Sequence, residues 1–569
     1  MMRRELENRL SFILAWGTLA ITLLVTDRIS IDPVNVSKMV LLSVVAFSVL
    51  PIVYIQKSEL YSQGKVLVSI SLGFILFALI SVFTSPNTIE RGLYGAFSRN
   101  TGLLTYTSLV VVFLAATLLT SEQSFEKVIK ALLLAGVVNT VYSLIAASGR
   151  DIITWSNPSK AILGTFGNPN FISAFMGIFF TLLIVQVLDR NVSTRMRLLF
   201  LGFLPFVALT IYFSRSLQGI MVAGFGSILA IYFYIRSKEG YLRASHFYLG
   251  GAVTAGFLSI AGILNKGPLA SLLYSYTVDL RGEYWKAGIN MGLGNPIFGV
   301  GIDSYGTNYR TYRELSATVA PGLAVTTDSA HNVYIDVFAG IGFPGLLTYL
   351  AINGLILFAA LKHLKRTKAF DGHFLTLFLC WATYQLQSIV SINQIGLAVW
   401  GWLLGGSLIA YTRSYSNGIL GDGKVKSKVL VAKKLKRSQE NVLLDASTSM
   451  KILGGAVIGL LIALPPFVMD AKLRNFFSGN SGKIETAVAI GQSWPVDNLR
   501  LERIIISLAS NKQIEQARNF AAFAITKFPN DYGAWFSLYE LTNEGIPEKD
   551  AIKKKLHLID PYNPAYFEK

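Results

Sequence analysis

Long apolar runs separated by short polar connections occupy most of the chain. Each run is roughly 18 to 22 residues long, which lets a helix cross a hydrocarbon core of ~30 Å. The first run has no small-residue cleavage site after it and is read as a span rather than a signal peptide. The pattern predicts an all-α, polytopic membrane protein with about thirteen spans, at approximately residues 10–26, 36–55, 65–83, 102–120, 127–147, 170–188, 197–213, 217–235, 246–264, 332–361, 374–391, 395–411 and 451–469.

Two long polar segments interrupt this pattern. The first, residues 265–330, lies between apolar runs and is large for a chain of this kind. The second, residues 470–569, has apolar positions at helical spacing in 501–525 and 532–543, and its stretch 517–535 resembles part of a tetratricopeptide repeat. Because such arrays need about three units to be stable alone, we expect a short helical array docked on the membrane domain or on a protein partner. A helical cap without a partner is an equal alternative.

Composition and charge placement support the membrane class and predict its orientation. The chain has 569 residues, of which 52% are hydrophobic and 15% are charged, whereas soluble domains carry about 25% charged residues. Lysine and arginine concentrate in alternate connections, which the positive-inside rule places in the cytoplasm together with the N-terminus: 189–197, 236–245, 362–373 and 412–450. The segments predicted to be external are 84–101, 148–169, 265–330 and 470–569.

The net charge of +18 is therefore a topology signal and does not indicate nucleic-acid binding. The basic tract 424–437 flanks a span and suits contact with anionic membrane lipids.

His331 is the first candidate for chemistry. A lone histidine is usually structural, but this one stands where the long loop re-enters the membrane, at the expected N-terminus of a helix. The helix dipole disfavours an imidazolium there, and a neutral imidazole can take a proton from a hydroxyl. Asp328 precedes it by three residues and is placed to cap the helix or to orient the ring.

Arginines form the second candidate group. Arg215 lies in a very short external turn between two apolar runs, where an arginine is functional or snorkels to lipid phosphates. Arg281 begins an amphipathic stretch, and its alternatives are an ion pair with Glu283 or a place on a solvated helix face. With Arg91 and Arg99 of another external loop, these guanidiniums could bind a diphosphate through paired donors without a metal. The remaining expected binding residues are Trp285 and Asn332.

Two glycine-rich segments, 164–170 and 292–301, fit tight turns or short re-entrant pieces but not a phosphate-binding loop. Gly340, Gly342 and Pro344 predict a kink in the helix after His331. The five histidines are scattered, so neither a metal site nor a cofactor site is expected. Cys380, the single cysteine, lies in an apolar run and is expected to be structural.

At this point the chain resembles the O-antigen ligase family over roughly residues 10 to 411. His331-Asn332, followed after nine residues by 342–345, is similar to the family's His-Asn/Ser signature. Further segments resemble its large periplasmic loop and recurrent motifs: 281–285, 295–301, 164–170 and 214–216.

The resemblance implies a GT-C-type transferase of the bacterial inner membrane that takes a glycan from an undecaprenyl-diphosphate carrier on the outer face. Ligases transfer it to lipid A–core of lipopolysaccharide, whereas relatives polymerise O-antigen repeats or glycosylate a protein. By match, the family's diphosphate-binding arginines fall on Arg215 and Arg281 and its proposed base on His331. The acceptor can thus be a glycan, a lipid or a protein. A transporter would instead place ionisable groups at the bilayer midplane, and here they cluster at the external face.

The predicted organisation has five parts. These are a membrane transferase domain over 1–411, its external loop 265–331, a basic cytoplasmic linker 412–450, an additional span 451–469 and an external helical segment 470–569. The last two depart from the short ligase pattern and leave the acceptor undecided.

Overall fold

The computed structural model describes residues 2–155, 157, 160–274, 276–420, 438–480, 483–543 and 545–567. Within these ranges the chain consists of helices and connections without a strand, so the prediction of an all-α polytopic membrane protein is confirmed. The basic tract 424–437 lies outside the described residues.

The α-helices are numbered in chain order. They are α1 (Met2–Leu23), α2 (Asn35–Ile55), α3 (Lys57–Thr84), α4 (Ile89–Tyr94), α5 (Leu103–Ala116), α6 (Glu122–Ala147), α7 (Pro169–Leu188), α8 (Thr194–Phe213), α9 (Leu217–Arg236), α10 (Leu242–Ile263), α11 (Ala270–Leu273), α12 (Tyr276–Gly294), α13 (Tyr305–Tyr312), α14 (Leu315–Ala317), α15 (Val333–Arg366), α16 (Gly372–Ser388), α17 (Ile395–Ser416), α18 (Ser438–Asn475), α19 (Ile484–Gln492), α20 (Asn498–Ser510), α21 (Ile514–Lys527), α22 (Tyr532–Glu540) and α23 (Pro547–Ile559).

Ten of these helices are long and apolar enough to cross a membrane: α2, α3, α6 to α10, α15, α17 and α18. The other three predicted spans also form helices. Two of them are short, α5 with 14 residues and α16 with 17, and α1 begins with a charged turn. Length and composition therefore give ten spans rather than about thirteen. All thirteen helices pack in the same bundle, in which α2 lies against α5 and α18, α7 against α9 and α16, and α15 against α3 and α12.

The connections between helices gather at two ends of the bundle in the alternation that the charge pattern predicts. At the end that holds the N-terminus, Glu7 accepts hydrogen bonds from the backbone N–H groups of Thr120 and Ser121 at 2.8 and 2.7 Å. At the opposite end, here called the loop end, Asn35 donates to the carbonyl of Ser98 at 2.7 Å, and Gln218 donates to that of Val390 at 3.1 Å. Which end faces the cytoplasm stays a prediction.

The segment after α18 is helical and is docked on the loop end. The apolar run 501–525 forms two helices, α20 and α21, because the chain turns at Lys512 with a φ of 62°. Asp560 accepts from Arg310 at 2.8 Å and from Arg313 at 2.6 Å, which joins the segment to the long loop. Its likeness to a tetratricopeptide repeat remains a prediction.

Candidate active site

The helix that follows His331 begins with a strong cap. The side-chain oxygen of Asn332 accepts hydrogen bonds from the backbone N–H groups of Tyr334 at 3.0 Å and Ile335 at 3.2 Å. Asn332 is buried and is therefore the N-cap of α15, which satisfies donors that the first helical turn leaves unpaired. The cap fixes the residue just before it, His331, at the helix entrance.

The predicted kink in α15 is confirmed at Gly342, where φ is 76°. The chain on both sides of this break is hydrogen-bonded to segment 295–301, part of the glycine-rich segment 292–301. Val300 donates to the carbonyl of Ala339 at 2.8 Å, Gly301 to that of Gly340 at 3.2 Å, and Phe343 to that of Pro296 at 2.7 Å. Segment 295–301 thus satisfies the backbone groups that the break frees, as non-helical backbone at a membrane requires.

Close packing of α12 on α15 sets the position of Arg281 and Trp285 relative to His331. A Cβ added at Gly288 would lie 2.5 Å from Ile335, and one at Gly292 would lie 2.4 Å from Phe338. These two glycines, one helical turn apart, let the backbones approach each other. One turn earlier, the ring of Tyr284 lies 5.9 Å from the imidazole of His331.

His331 itself is half-buried and strained. Its φ is 53°, a left-handed conformation that is uncommon outside glycine. Neither ring nitrogen makes a hydrogen bond with the residues that the structure describes. The pKa of the imidazole is lowered to about 4, chiefly by burial; the charges of Arg99 and Arg281 act in the same direction, and that of Asp328 opposes them. The ring is therefore neutral at physiological pH, as the sequence predicted from the helix dipole, although burial and the arginines are the principal causes.

Asp328 does not cap the helix, so that part of the prediction is wrong, and within the described residues it forms no hydrogen bond with the imidazole. Its two oxygens accept from Nε and a terminal nitrogen of Arg99 at 2.6 and 2.7 Å, a paired geometry. Burial raises the pKa of the Asp328 carboxyl, but the charge and hydrogen bonds of Arg99 outweigh it and the pKa is lowered. The carboxylate stays charged and holds the guanidinium beside His331.

Arg281 is half-buried and lies close enough for its charge to act on His331. Burial lowers the pKa of its guanidinium. The alternative of an ion pair with Glu283 is wrong, because Glu283 instead accepts from Lys286 at 2.9 Å and from Ser316 at 2.8 Å. Arg281 makes no hydrogen bond or ion pair with any other residue in the described ranges. Its donors remain available to an anion.

Residues 198–350 match the family model of the O-antigen ligase. The chain carries an O-antigen ligase domain. The matched range includes Arg215, Arg281, His331 and the broken part of α15, whereas Arg99 and the C-terminal helices lie outside it. The comparison with curated proteins gives no match.

The other predicted site residues, Arg215, Arg91 and Trp285, lie in different environments. Arg215 is exposed in the turn between α8 and α9 at the loop end, with a φ of 56°. Arg91, 5% exposed, donates to Asn498 of the C-terminal segment at 2.6 Å and is not brought to His331. Trp285 is half-buried, and its indole nitrogen has no hydrogen-bond partner in the described part of the chain.

Sequence reasoning missed a polar cleft beside His331. Its volume is about 620 Å³ including the space open to solvent, and its walls include Asp303, Asp336 and Asn393. Asn393 lies in the six-residue connection between α16 and α17. Between the predicted spans this connection is 392–394, as short as the turn 214–216 that holds Arg215. The rule that singled out Arg215, a polar residue in a minimal turn between apolar runs, would also have found Asn393.

One group of possible metal ligands occurs among the residues with described positions: Glu122, Glu126 and His373, whose ligand atoms lie within 4.8 Å of one another. Glu122 begins α6 and His373 lies in the first turn of α16, at the end of the bundle that holds the N-terminus. The group therefore lies at the opposite end from His331.

Proposed function

We propose that the chain is a membrane glycosyltransferase that moves a glycan from an undecaprenyl-diphosphate carrier to an acceptor hydroxyl on the outer face of the inner membrane. The ligase domain supports O-antigen ligase-type glycan transfer in general. The donor, the acceptor and the chemistry below are parts of the proposal.

One observation carries it. His331 presents a neutral imidazole, unbonded to described protein atoms, within the electrostatic reach of Arg99 and Arg281. A neutral imidazole can accept a proton, and an unpaired guanidinium can bind a phosphate with paired donors. A base beside an anion site fits the transfer of a group from a diphosphate to a hydroxyl.

In the proposed reaction, His331 takes the proton of the acceptor hydroxyl as that oxygen forms a bond to the anomeric carbon. The bond between that carbon and the diphosphate oxygen breaks, and its electron pair leaves with undecaprenyl diphosphate. Arg281 and Arg215, the latter in the turn between α8 and α9, are the proposed donors that stabilise the departing negative charge. Attack opposite the leaving group inverts the anomeric centre, and no step requires a metal.

A polymerase, which would use a second lipid-linked glycan as the acceptor, is the alternative, because the site described here would serve either acceptor. Protein glycosylation and small-anion transport are less well supported. For transport, the ionisable groups of the site stand at the loop end rather than at mid-span.

The direct test is transfer by the purified full chain. Removing a general base costs roughly 10²- to 10⁴-fold in rate, so we expect His331→Ala to lose that much transfer while donor binding stays nearly unchanged. The matched control is His246→Ala, which alters an exposed histidine on α10. Wild-type rates in His331→Ala would eliminate the proposed base, and loss of activity to a chelator would eliminate the metal-free reaction. Offering lipid A–core or lipid-linked repeats as the only acceptor separates a ligase from a polymerase.

A further inference from the structure

The cleft beside His331 has polar walls that the proposed reaction has not used. Ser329, which lines it, accepts the backbone N–H of His331 at 3.2 Å, so the cleft begins two residues from the proposed base. Arg99 and Asp328 form part of the same wall. A group bound in the cleft would lie against Arg99 and Asp328, whose charges act on the imidazole, although His331 itself does not line the cleft.

Two polar atoms of the cleft are left without partners. Asn393 is 7% exposed, and its amide nitrogen is buried and forms no hydrogen bond of normal geometry with the described chain, although the Tyr106 hydroxyl lies beside it. Asp336 accepts from the backbone N–H of Ala330 at 2.7 Å with one oxygen, and its other oxygen has no partner in the described ranges. A buried donor without a partner is costly. A ligand that accepts from Asn393 and donates to Asp336 would satisfy both atoms.

The cleft and the surroundings of Arg281 differ in the charged groups that they contain. The cleft carries three carboxyls, Asp303, Asp328 and Asp336, and a single guanidinium, that of Arg99, which is already paired with Asp328. On α12, by contrast, Arg281 has no counter-charge among the described residues. An anion is therefore favoured beside Arg281 and disfavoured in the cleft.

We propose that the cleft binds an uncharged or amino sugar residue of the glycan through its hydroxyls, with the diphosphate on the other side of His331. Sugar hydroxyls both donate and accept, which suits a carboxylate facing an amide nitrogen, and the aromatic rings of Tyr106 and Tyr305 line the same cleft. A sugar that carries a carboxylate meets no unpaired cation among the lining residues, because their one guanidinium, that of Arg99, is bonded to Asp328. This inference rests on the proposed function and adds the class of sugar that the site accepts.

The test measures binding of three probes to the full chain in detergent. These are a neutral N-acetylhexosamine disaccharide, the corresponding disaccharide in which one sugar is a uronic acid, and inorganic pyrophosphate. We expect the neutral disaccharide to bind at least about tenfold more tightly than the acidic one. Asn393→Ala and Asp336→Ala each remove a hydrogen bond and should weaken binding of the neutral disaccharide by about tenfold, with pyrophosphate binding unchanged.

The matched control is Asp279→Asn, which removes an exposed carboxylate near the start of α12, outside the cleft. Pyrophosphate binding reports that each variant is folded. If Asn393→Ala is not, the nearly isosteric Asn393→Asp removes the same donor.

The sugar site is overturned if the two disaccharides bind equally tightly or not at all. It is also overturned if neither cleft substitution weakens binding of the neutral disaccharide. Failure of the wild-type chain to transfer a glycan overturns the proposed function instead. In the transfer assay, a raised KM for the donor or for the acceptor in Asn393→Ala identifies which substrate supplies the sugar.

Discussion

Three residues of the site adopt a backbone conformation that costs free energy. His331, Asp303 and Arg215 have φ values of 53°, 53° and 56°, and a left-handed conformation costs a non-glycine residue roughly 1–2 kcal/mol. Such strain persists only where the surrounding structure imposes it. At His331 the cap of α15 on one side and Ser329 on the other hold the backbone. At His331, which the proposed reaction uses, this strain fits a functional position.

The lowered pKa of His331 predicts the acid limb of the rate profile. An imidazole with a pKa of about 4 is neutral above that value and gains a proton below it. We expect the His331-dependent part of the transfer rate to be constant from about pH 8 to pH 5 and to fall as the pH drops through about 4. A profile of kcat against pH, compared with that of His331→Ala, measures this.

The arginine beside the imidazole provides a control for that profile. Arg281→Ala removes a charge that lowers the pKa of His331, so the acid limb should move to higher pH. Arg281→Lys keeps the charge and should leave the limb in place while still losing donor binding, because an ammonium lacks the planar fork. If the acid limb of Arg281→Ala lay at the wild-type pH, the charge of Arg281 would not lower the pKa of His331.

At the scale of single residues, the sequence could predict candidate site residues but not the distant residues that they contact. Short motifs and positions next to apolar runs single out His331, Arg215 and Arg281, whose roles stay a prediction. The pair of Arg99 and Asp328 joins residues 229 positions apart, and no local pattern records that distance. The sequence therefore gave Asp328 a local role as a cap, which the folded chain assigns to Asn332.

Among the elements, the broken helix α15 and segment 295–301 form one unit. The break frees carbonyls at Ala339 and Gly340, and the segment supplies donors to both. Gly299 makes this approach possible, since a Cβ there would lie 2.4 Å from the backbone carbon of Gly340. The loop wall of the cleft is fixed to the helix in this way.

Gly299→Ala should therefore destabilise the protein. The positive φ of 68° alone costs an alanine roughly 1–2 kcal/mol, and the close contact with Gly340 adds to it. Gly354→Ala, in the same helix but with open space around the added carbon, should be neutral or stabilising by up to about 1 kcal/mol. Thermal unfolding in detergent compares the two variants. Equal melting temperatures would show that segment 295–301 does not depend on the close contact.

The elements were more predictable than their contacts. Apolar length and periodicity placed the apolar helices of the bundle, and glycine with proline placed the break in α15, because both features are local. The 19-residue helix α12 lies in the segment predicted as a polar loop. Helix ends were less predictable: the run 501–525 divides at Lys512, whose residue type gives little warning of a left-handed turn. The docking of one glycine-rich segment on another depends on tertiary packing.

At the scale of the whole molecule, a buried ion triad fastens the C-terminal helices to the long loop. The side chains of Arg313 and Asp560 are fully buried and that of Arg310 is 10% exposed. Arg310 also lies 3.9 Å above the ring of Tyr532. Because α13, which carries Arg310, begins at the cleft residue Tyr305, the triad connects the C-terminal helices to the cleft wall.

Asp560→Asn should release this connection. Removing one partner of a buried ion pair costs about 3–5 kcal/mol because the remaining charges are left buried and unpaired. We expect limited proteolysis to cut between α18 and α19 far faster than in the wild type. Asp550→Asn, an exposed change on the same helix α23, serves as the control and should cut at the wild-type rate. Unchanged resistance in Asp560→Asn would show that other contacts hold the segment.

The predicted orientation can be tested in intact cells. Ser316→Cys lies at the loop end, and Glu239→Cys lies at the other end, both at exposed positions. The native Cys380 is buried and gives little background. An impermeant thiol reagent should label the first variant in spheroplasts and the second only after lysis. The reverse pattern would invert the topology and move the proposed reaction to the cytoplasmic face.

The triad also sets an order of events during synthesis. Arg310 is made 250 residues before Asp560, and α18 must cross the bilayer between them. At about 5–20 residues per second, Asp560 is synthesised roughly 12 to 50 seconds after the two arginines. Until Asp560 is synthesised, the wall of the cleft lacks this contact with the C-terminal helices. A chain that stalls during translation, or one whose last span fails to insert, therefore reaches the membrane with an unfinished site, which links catalytic competence to complete biogenesis.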